Sequence, residues 1–402
     1  MAVSALTMFF SGPGQSNSVS VYADSYIEEF GWSRTLVSGM YSTGTLIAGL
    51  LMGVVGGIFD RIGHRTATTA VAILFGIACL WMSKVESILM LFVGFFLIRL
   101  LGQGSMGLSI STLVPQWFIS KRGVALSLVS LGGVLMSVIL PLLNIWLIRA
   151  YGWRTSWNVW AVLLCALMAP VAYIFIRNRP EEVGLLPDNA IVDYKDYKVE
   201  IDSKEESWTV QEALRTRSFW LLLFPNVVTS AVGTGIIFHF ISIMGERGIS
   251  PEIAVLNFSI SAMIRLPAGF GAGWLADRVH PRYLLIFSMA TYSISIFVLL
   301  LTNSVPIVMV YGVIRGIVMG FMSILNGVLW PAYFGRRYLS SIRGVTMMAG
   351  VIGTALGPLP FGFAYDMLGG YKEVIIASLA IQSLTILSGI FAKPIARAKP
   401  TL

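Results

Sequence analysis

Charge is scarce in this chain. Only 12% of its 402 residues are Asp, Glu, Lys or Arg, while 56% are hydrophobic; a soluble domain carries about 25% charged residues. No Asp or Glu falls in the core of any long apolar stretch. No basic run exists either, so the net charge of +8 does not point to nucleic acid. Cysteine is limited to Cys79 and Cys165, both within apolar stretches; this excludes a disulfide framework and predicts two buried thiols. The first 23 residues lack charge. With no basic leader and an apolar run too long for a secretory core, they are expected to form an uncleaved first helix. There is no Ser/His/Asp set, no metal-ligand cluster and no nucleotide loop. Gly102-Gln103-Gly104 lies inside an apolar span and cannot cradle phosphate. No enzyme activity, cofactor or metal is expected.

Long apolar runs, glycine and an internal repeat remain. Spans of roughly 20 apolar residues cross a bilayer. Breaks at charge, Gly and Pro place twelve of them near 2–27, 33–59, 66–83, 87–115, 122–148, 156–176, 218–244, 252–276, 283–301, 305–333, 341–365 and 372–392. The expected architecture is an all-α membrane protein of two pseudo-symmetric six-helix bundles, residues 1–176 and 218–402. A cytoplasmic linker, 177–217, with ten acidic and seven basic residues joins them, either solvated or as a short amphipathic helix. Ser33, and Ser250 ahead of Pro251, fit as N-caps. Of 28 Lys and Arg, 19 fall on one side, so both termini are expected in the cytoplasm.

The segments Gly56-Gly57-Ile58-Phe59-Asp60-Arg61-Ile62-Gly63-His64-Arg65 and Gly273-Trp274-Leu275-Ala276-Asp277-Arg278-Val279-His280-Pro281-Arg282 lie 217 residues apart. The same offset maps Pro141 onto Pro358, Gly31 onto Gly248 and Ser33 onto Ser250. One repeat at half length, in a membrane composition, predicts a transporter of two related bundles.

These residues resemble the major facilitator superfamily, over essentially the whole chain. The G-x-x-x-D-R-x-G-x-R loop between the second and third spans carries the likeness; its second copy has His280 where Gly63 stands. Arg99-Leu100-Leu101-Gly102-Gln103-Gly104 is similar to the superfamily's fourth-helix signature, and Arg315 to Gly320 echoes it. A narrower resemblance, to monocarboxylate transporters and oxalate/formate antiporters, rests on three places. They are Trp117 to Ala125, the corner Tyr333-Phe334-Gly335-Arg336-Arg337 with Ser341 to Gly344 and Gly357-Pro358, and Arg265-Leu266-Pro267-Ala268-Gly269. The resemblance implies a cytoplasmic gate at Asp60, Arg61, Arg65, Asp277, Arg278, Arg282 and Arg122. It also implies a substrate carboxylate at Arg265. The chain departs from it at Ser261, where animal members carry an acid, and in lacking an intramembrane lysine in the eleventh span; Arg343 is too near the cytoplasmic end.

Residues that break the repeat are better candidates for an asymmetric task than residues that obey it. Arg265 breaks it, its counterpart being Ala48. Near the midplane an uncompensated guanidinium costs on the order of 3 kcal/mol or more. With no intramembrane acid to pair, a bound carboxylate is its simplest partner. Arg99 and Arg315, at nearly matched positions, make the cavity positive. His239 is the only histidine within a span and can titrate near neutrality, as a proton carrier or as a bonded structural group. Gly12-Pro13-Gly14 should kink the first helix, presenting Gln15 and Asn17 to a cavity. Ser261 and Tyr333 complete the candidate binding set, with Tyr41 and Phe238 as further pocket aromatics. Small residues at Gly49, Gly53 and Gly57, and at Gly353 and Gly357, allow helices to slide closely.

The leading expectation is a secondary transporter for a small monocarboxylate of the lactate or pyruvate kind. It would work by alternating access in the cytoplasmic (inner) membrane as a monomer, coupled to a proton or a counter-anion. The alternatives are an organic-anion or dicarboxylate exchanger of the oxalate/formate type and, from another class, a non-transporting membrane sensor. The linker of about 40 residues is short for a folded signalling domain.

Overall fold

A computed structural model describes residues 1–32, 34–189 and 207–393. Ser33 and the middle and tail of the polar segments lie outside these, as do the side chains of Asn17 and Asp24. Among the described residues there is no strand, and nine helices are long and apolar enough to cross a membrane. The twelve predicted spans exceed nine for visible reasons. The first is broken into Ala2–Phe10, a tight turn at Gly12–Gly14, Ser16–Val19, Ser20–Tyr22 and Ala23–Phe30, as its Gly-Pro-Gly predicts. The second is interrupted between Arg34–Leu50 and Met52, and Met52–Ser83 runs on through Gly63, whose φ of +79° turns the chain into the third. The eighth, Pro251–Ala276, is not among the nine, whereas the eleventh is, although it divides at Gly357 into Leu339–Leu356 and Pro358–Leu368.

The helices group into two compact units. The first comprises residues 1–119, 128–202 and 336–348, and the second 120–127, 203–335 and 349–402. Each unit therefore contains a short segment from the other half of the sequence.

The first unit has a core of aromatic rings whose polar edges are all answered. Tyr22 stacks on Trp157 at 4.4 Å and its hydroxyl meets Ser156 at 2.7 Å. Trp157 donates to the Tyr26 hydroxyl, Trp160 to Asn144, and Asn144 in turn to Ser18. Burial demands such pairing, because an unanswered polar group in an apolar interior costs about 1–3 kcal/mol. Cys79 is buried, but Cys165 is only half-buried, its sulfur lying over Gly76.

The second unit is organised by the tight pair Pro251–Ala276 and Val305–Phe334. Gly312, Gly316 and Gly320 recur every four residues on the latter and bring backbones together; a methyl group on Gly316 would lie 2.7 Å from the Ser261 carbonyl oxygen. Two side chains weld the seam. Asn257 donates to the Val308 carbonyl at 2.5 Å and Ser261 to the Gly312 carbonyl at 2.9 Å. Ser250 occupies the N-cap with Pro251 following, although its hydroxyl makes no capping bond. Of the polar linker, the short helix Val210–Leu214 is described, held by a reciprocal Thr209–Glu212 cap.

Candidate functional site

The two Asp-Arg segments build matching devices. Asp60 accepts hydrogen bonds from the amides of Ser340 (3.1 Å) and Ser341 (2.7 Å), at the start of Leu339–Leu356. Asp277 accepts them from Gly123 (2.5 Å) and Val124 (3.0 Å), at the start of Arg122–Tyr151. The first amides of a helix have no partner within it and carry its positive end, so a carboxylate there satisfies both needs. Backbones meet closely at each latch. A methyl group on Gly56 would lie 2.2 Å from the Ser340 carbonyl oxygen, and one on Gly123 2.2 Å from that of Gly273.

The last arginine of each motif docks on carbonyls freed at a helix end. Arg65 donates through Nε to the Tyr173 carbonyl at 2.7 Å and lies 4.2 Å from that ring's centre. Arg282 donates through Nε to Gly389 (3.1 Å) and through Nη2 to Ile390. Arg278 folds back on Trp274, bonding its carbonyl and covering its ring at 3.9 Å. Its mate Arg61 is exposed, and Arg122 is buried at the head of the helix that Asp277 caps.

Arg99 is buried and tied to neutral acceptors: Nε to Thr45 Oγ1 (3.0 Å), Nη1 to the Gly14 carbonyl (3.0 Å) and to Ser16 Oγ (3.3 Å). Its guanidinium also faces the Tyr41 ring at 5.0 Å, and Tyr41 donates to Ser16. It thus staples the Gly-Pro-Gly break of the first helix, with its charge met by no carboxylate among the described residues. Arg99 opens an eight-residue π-helical stretch, Arg99–Met106, which the sequence pattern does not reveal. Gln15 donates to Ser11.

Arg265 stands mid-helix, exposed, and has no hydrogen-bond or ion-pair partner among the described residues. It shares a face with Phe258 and Ser261, at positions i, i+3 and i+7. On the facing helix Arg315 is buried, its guanidinium 5.2 Å from the Phe258 ring, and its Nη1 has no partner among the described residues. Helical side chains lean toward their own N-terminus, so Arg265 leans toward the turn that Arg315 overlies. Ser261 and Arg315 thus lie on the seam between the two helices, and Arg265 stands one turn beyond Ser261 on the same helix.

His239 sits elsewhere. Its neighbour Phe240 packs on Phe258 and Tyr311, whereas the imidazole stacks on Phe361 and bonds Tyr371 (Nδ1, 3.1 Å) and the Pro358 carbonyl (Nε2, 3.3 Å). A carbonyl only accepts, so Nε2 carries a hydrogen. Tyr371 also reaches Ser242 Oγ at 3.1 Å. Its hydroxyl can therefore donate to a neutral Nδ1 or, turned to Ser242, accept from a protonated one. The network holds both forms of the ring. Six residues from the end of Arg217–Gly245, His239 lies about 9 Å from that end; Arg265, fourteen residues into Pro251–Ala276, is about 21 Å from its start.

Tyr333 is not brought to either place. Its hydroxyl donates to the Ala392 carbonyl at 2.7 Å and its ring meets His280, at the Asp-Arg end of the unit. Sequence reasoning gave no role to four groups, of which Arg336 entered only through the family motif and Arg343 was set aside as too near the cytoplasmic end. Gln116 and Arg336 bond each other's carbonyls reciprocally at 2.8 Å. Thr45 holds Arg99, and Arg343 is buried with its Nε unpartnered among the described residues. Arg343 also breaks the repeat, Leu126 being its counterpart, and that signal was available in the sequence.

The family described as Major Facilitator Superfamily matches residues 4–358. Monocarboxylate transporter 2 of Mesocricetus auratus is 24% identical over 406 residues, covering 96% of this chain and 78% of that one. The putative niacin/nicotinamide transporter NiaP of Bacillus subtilis (strain 168) is 25% identical, covering 83% and 79%. Among solved structures, the transporter FucP in the outward conformation superposes with a TM-score of 0.72 at 13% identity, over 98% of both chains.

Proposed function

The chain belongs to the Major Facilitator Superfamily, and on that premise we propose that it is a secondary transporter of a small monocarboxylate, driven by a proton. The observation that carries this reading is Arg265, which has no hydrogen-bond or ion-pair partner among the described residues. A cation at mid-span with no protein counter-charge is costly, and a carboxylate gripped by both arms of the fork removes the cost. Monocarboxylate transporter 2, among the relatives, is named for that class of solute. Ser261 adds a hydroxyl on the same helix. His239 takes up the proton at Nδ1 and passes it through Tyr371. Asp60 and Asp277, with the arginines of their motifs, latch the cytoplasmic gate during alternating access. The protein resides in the cytoplasmic membrane with both termini inside, as its Lys and Arg bias supports. It is organised as a bundle of residues 1–176 and one of 218–402, and acts as a monomer.

A second reading has its own observation. Arg315 leaves Nη1 open on the seam, with Arg265 one turn beyond Ser261, so two guanidinium groups are at hand for a dicarboxylate exchanged against another anion. Counterflow of labelled lactate, pyruvate, acetate, formate and oxalate into proteoliposomes, with and without a pH gradient, separates the readings. Monocarboxylate uptake that rises with an inward proton gradient supports the first. Oxalate exchange indifferent to the gradient supports the second, and no counterflow of any of the five defeats both.

A further inference from the structure

Beside the Asp60 latch, and wholly within the first unit, lies a cavity of about 300 Å³, at the lower end of small-molecule sites. Four segments of the sequence meet around it: the turn at Arg61 to His64, Gln116, the start of the linker at Asn178 and Arg179, and the corner at Arg337. Arg61, Arg179 and Arg337 are exposed, and none has a hydrogen-bond or ion-pair partner among the described residues. Three guanidinium groups around one hollow repel each other, so something of opposite charge is favoured there. The two carboxylates on its wall do not serve. Asp60 commits both oxygens to Ser340 and Ser341, and Glu182 is exposed with no ion pair among the described residues. The floor is unfinished as well. His64 and Gln116 are only 6% and 5% exposed, and His64 Nδ1 and Gln116 Oε1 have no hydrogen-bond partner among the described residues. A buried polar atom without a partner costs about 1–3 kcal/mol, and these two want a ligand that both accepts and donates.

We propose that this cavity binds a phosphate-bearing anion, its oxygens on the three guanidinium forks and a hydroxyl of the ligand on Gln116 Oε1. Phosphate matches forked donors in shape and charge, and its oxygens can take several at once. Because Arg61 adjoins Asp60 and Arg337 lies three residues before Ser340, the bound anion clamps the segment 336–348 against the turn at Gly63. The ligand thereby steadies the Asp60 latch without touching the transport cavity. The phosphate can be free in solution or part of a lipid headgroup.

The full chain in phosphatidylcholine nanodiscs is followed by thermal unfolding. Inorganic phosphate is added, with chloride at equal ionic strength as control. A rise in midpoint with phosphate alone, lost in the R179Q/R337Q double variant, supports the proposal with the free ion as ligand. A rise produced only by including phosphatidylglycerol in the disc, again lost in that variant, supports it with the headgroup as source. The R179K/R337K pair keeps the charge without the fork and guards against a folding defect; binding of the effective probe should weaken about tenfold. The proposal is overturned if neither probe exceeds chloride, or if the rise is undiminished in both double variants.

Discussion

Asp60 grips the amides of Ser340 and Ser341, and Asp277 grips those of Gly123 and Val124. The same separation of 217 residues relates the two acids and relates the amides. Each acid thus binds the helix start equivalent to the one its mate binds. Two independent contacts obeying one symmetry are the mark of a mechanical part shared by both halves.

Asp60→Asn and Asp277→Asn leave the shape but remove the charge and set an amide N–H against a backbone N–H. Charged acceptors contribute about 1.5–3 kcal/mol per bond. Each variant should shift the inward- to outward-open balance by about tenfold or more, with substrate affinity retained. Labelling of single cysteines placed on either face reads the shift; unchanged labelling with normal turnover reduces the acids to loop anchors.

Gly56→Ala tests the same latch by volume. The added methyl would sit 2.2 Å from the Ser340 carbonyl oxygen, so the helix start must retreat from Asp60. The expected result is the phenotype of Asp60→Asn with a lowered unfolding midpoint, at a cost of about 1–3 kcal/mol as for other overpacked sites. A variant as stable and as active as the parent would mean that the two helices are not in contact in the membrane.

For Arg265, the informative change is to Lys, which keeps the charge and loses the fork. Affinity for the carboxylate should fall by about a hundredfold, corresponding to loss of one charged hydrogen bond, while insertion and folding persist. Transport at the parent's rate and affinity would remove Arg265 from the site.

His239→Gln retains bonds to Tyr371 and Pro358 but cannot titrate. Exchange of internal for external anion should continue, and accumulation driven by a pH gradient should cease. Tyr371→Phe should slow the same step without abolishing exchange, since it removes the hydroxyl that lets Nδ1 either accept or donate. Gradient-driven uptake intact in His239→Gln would leave the ring a structural role.

At the opposite end of the first unit, Arg154 and Trp153 both donate to Glu29, and the Arg154 bond in particular holds its carboxyl below the usual range. A depressed folded-state pKa means that the stabilisation is present above the unfolded value, about 4.3. It is lost as pH falls through that value and then through the lower native one. The pair is well exposed, so its contribution should be under about 1 kcal/mol. Glu29→Gln should flatten this part of the acid limb of a pH–stability profile; an identical limb would show that the pair contributes nothing.

Much of the fold was legible because lipid demands it. Apolar runs of fixed length, the break at Gly-Pro-Gly and the repeated Asp-Arg turns are one-dimensional signals, whereas the division at Gly357 falls inside a span that the pattern reads as continuous over 341–365. The site was legible only as far as rarity goes. Arg265 stood out as a mid-span cation that breaks the repeat, and it has no hydrogen-bond or ion-pair partner among the described residues. Arg99 stood out equally, yet Thr45, Ser16 and Gly14 satisfy it, a fact decided by packing between helices far apart in sequence. Tyr333 shows the same limit: nothing in its local sequence tells that its hydroxyl reaches Ala392. The π-helical stretch at Arg99–Met106 leaves no periodic trace, because it changes the pitch within an unbroken apolar run.

The exchange of segments between the two units has a consequence for biosynthesis. The first unit is completed by residues 336–348, which leave the ribosome only after most of the chain has been made. Until then Asp60 has no amide to grip, and the first six spans wait as an unfinished body in the bilayer. Assembly cannot proceed strictly one half after the other, as domains of many multidomain proteins do. A chain that stalls before its eleventh span carries an unlatched Asp60 carboxylate.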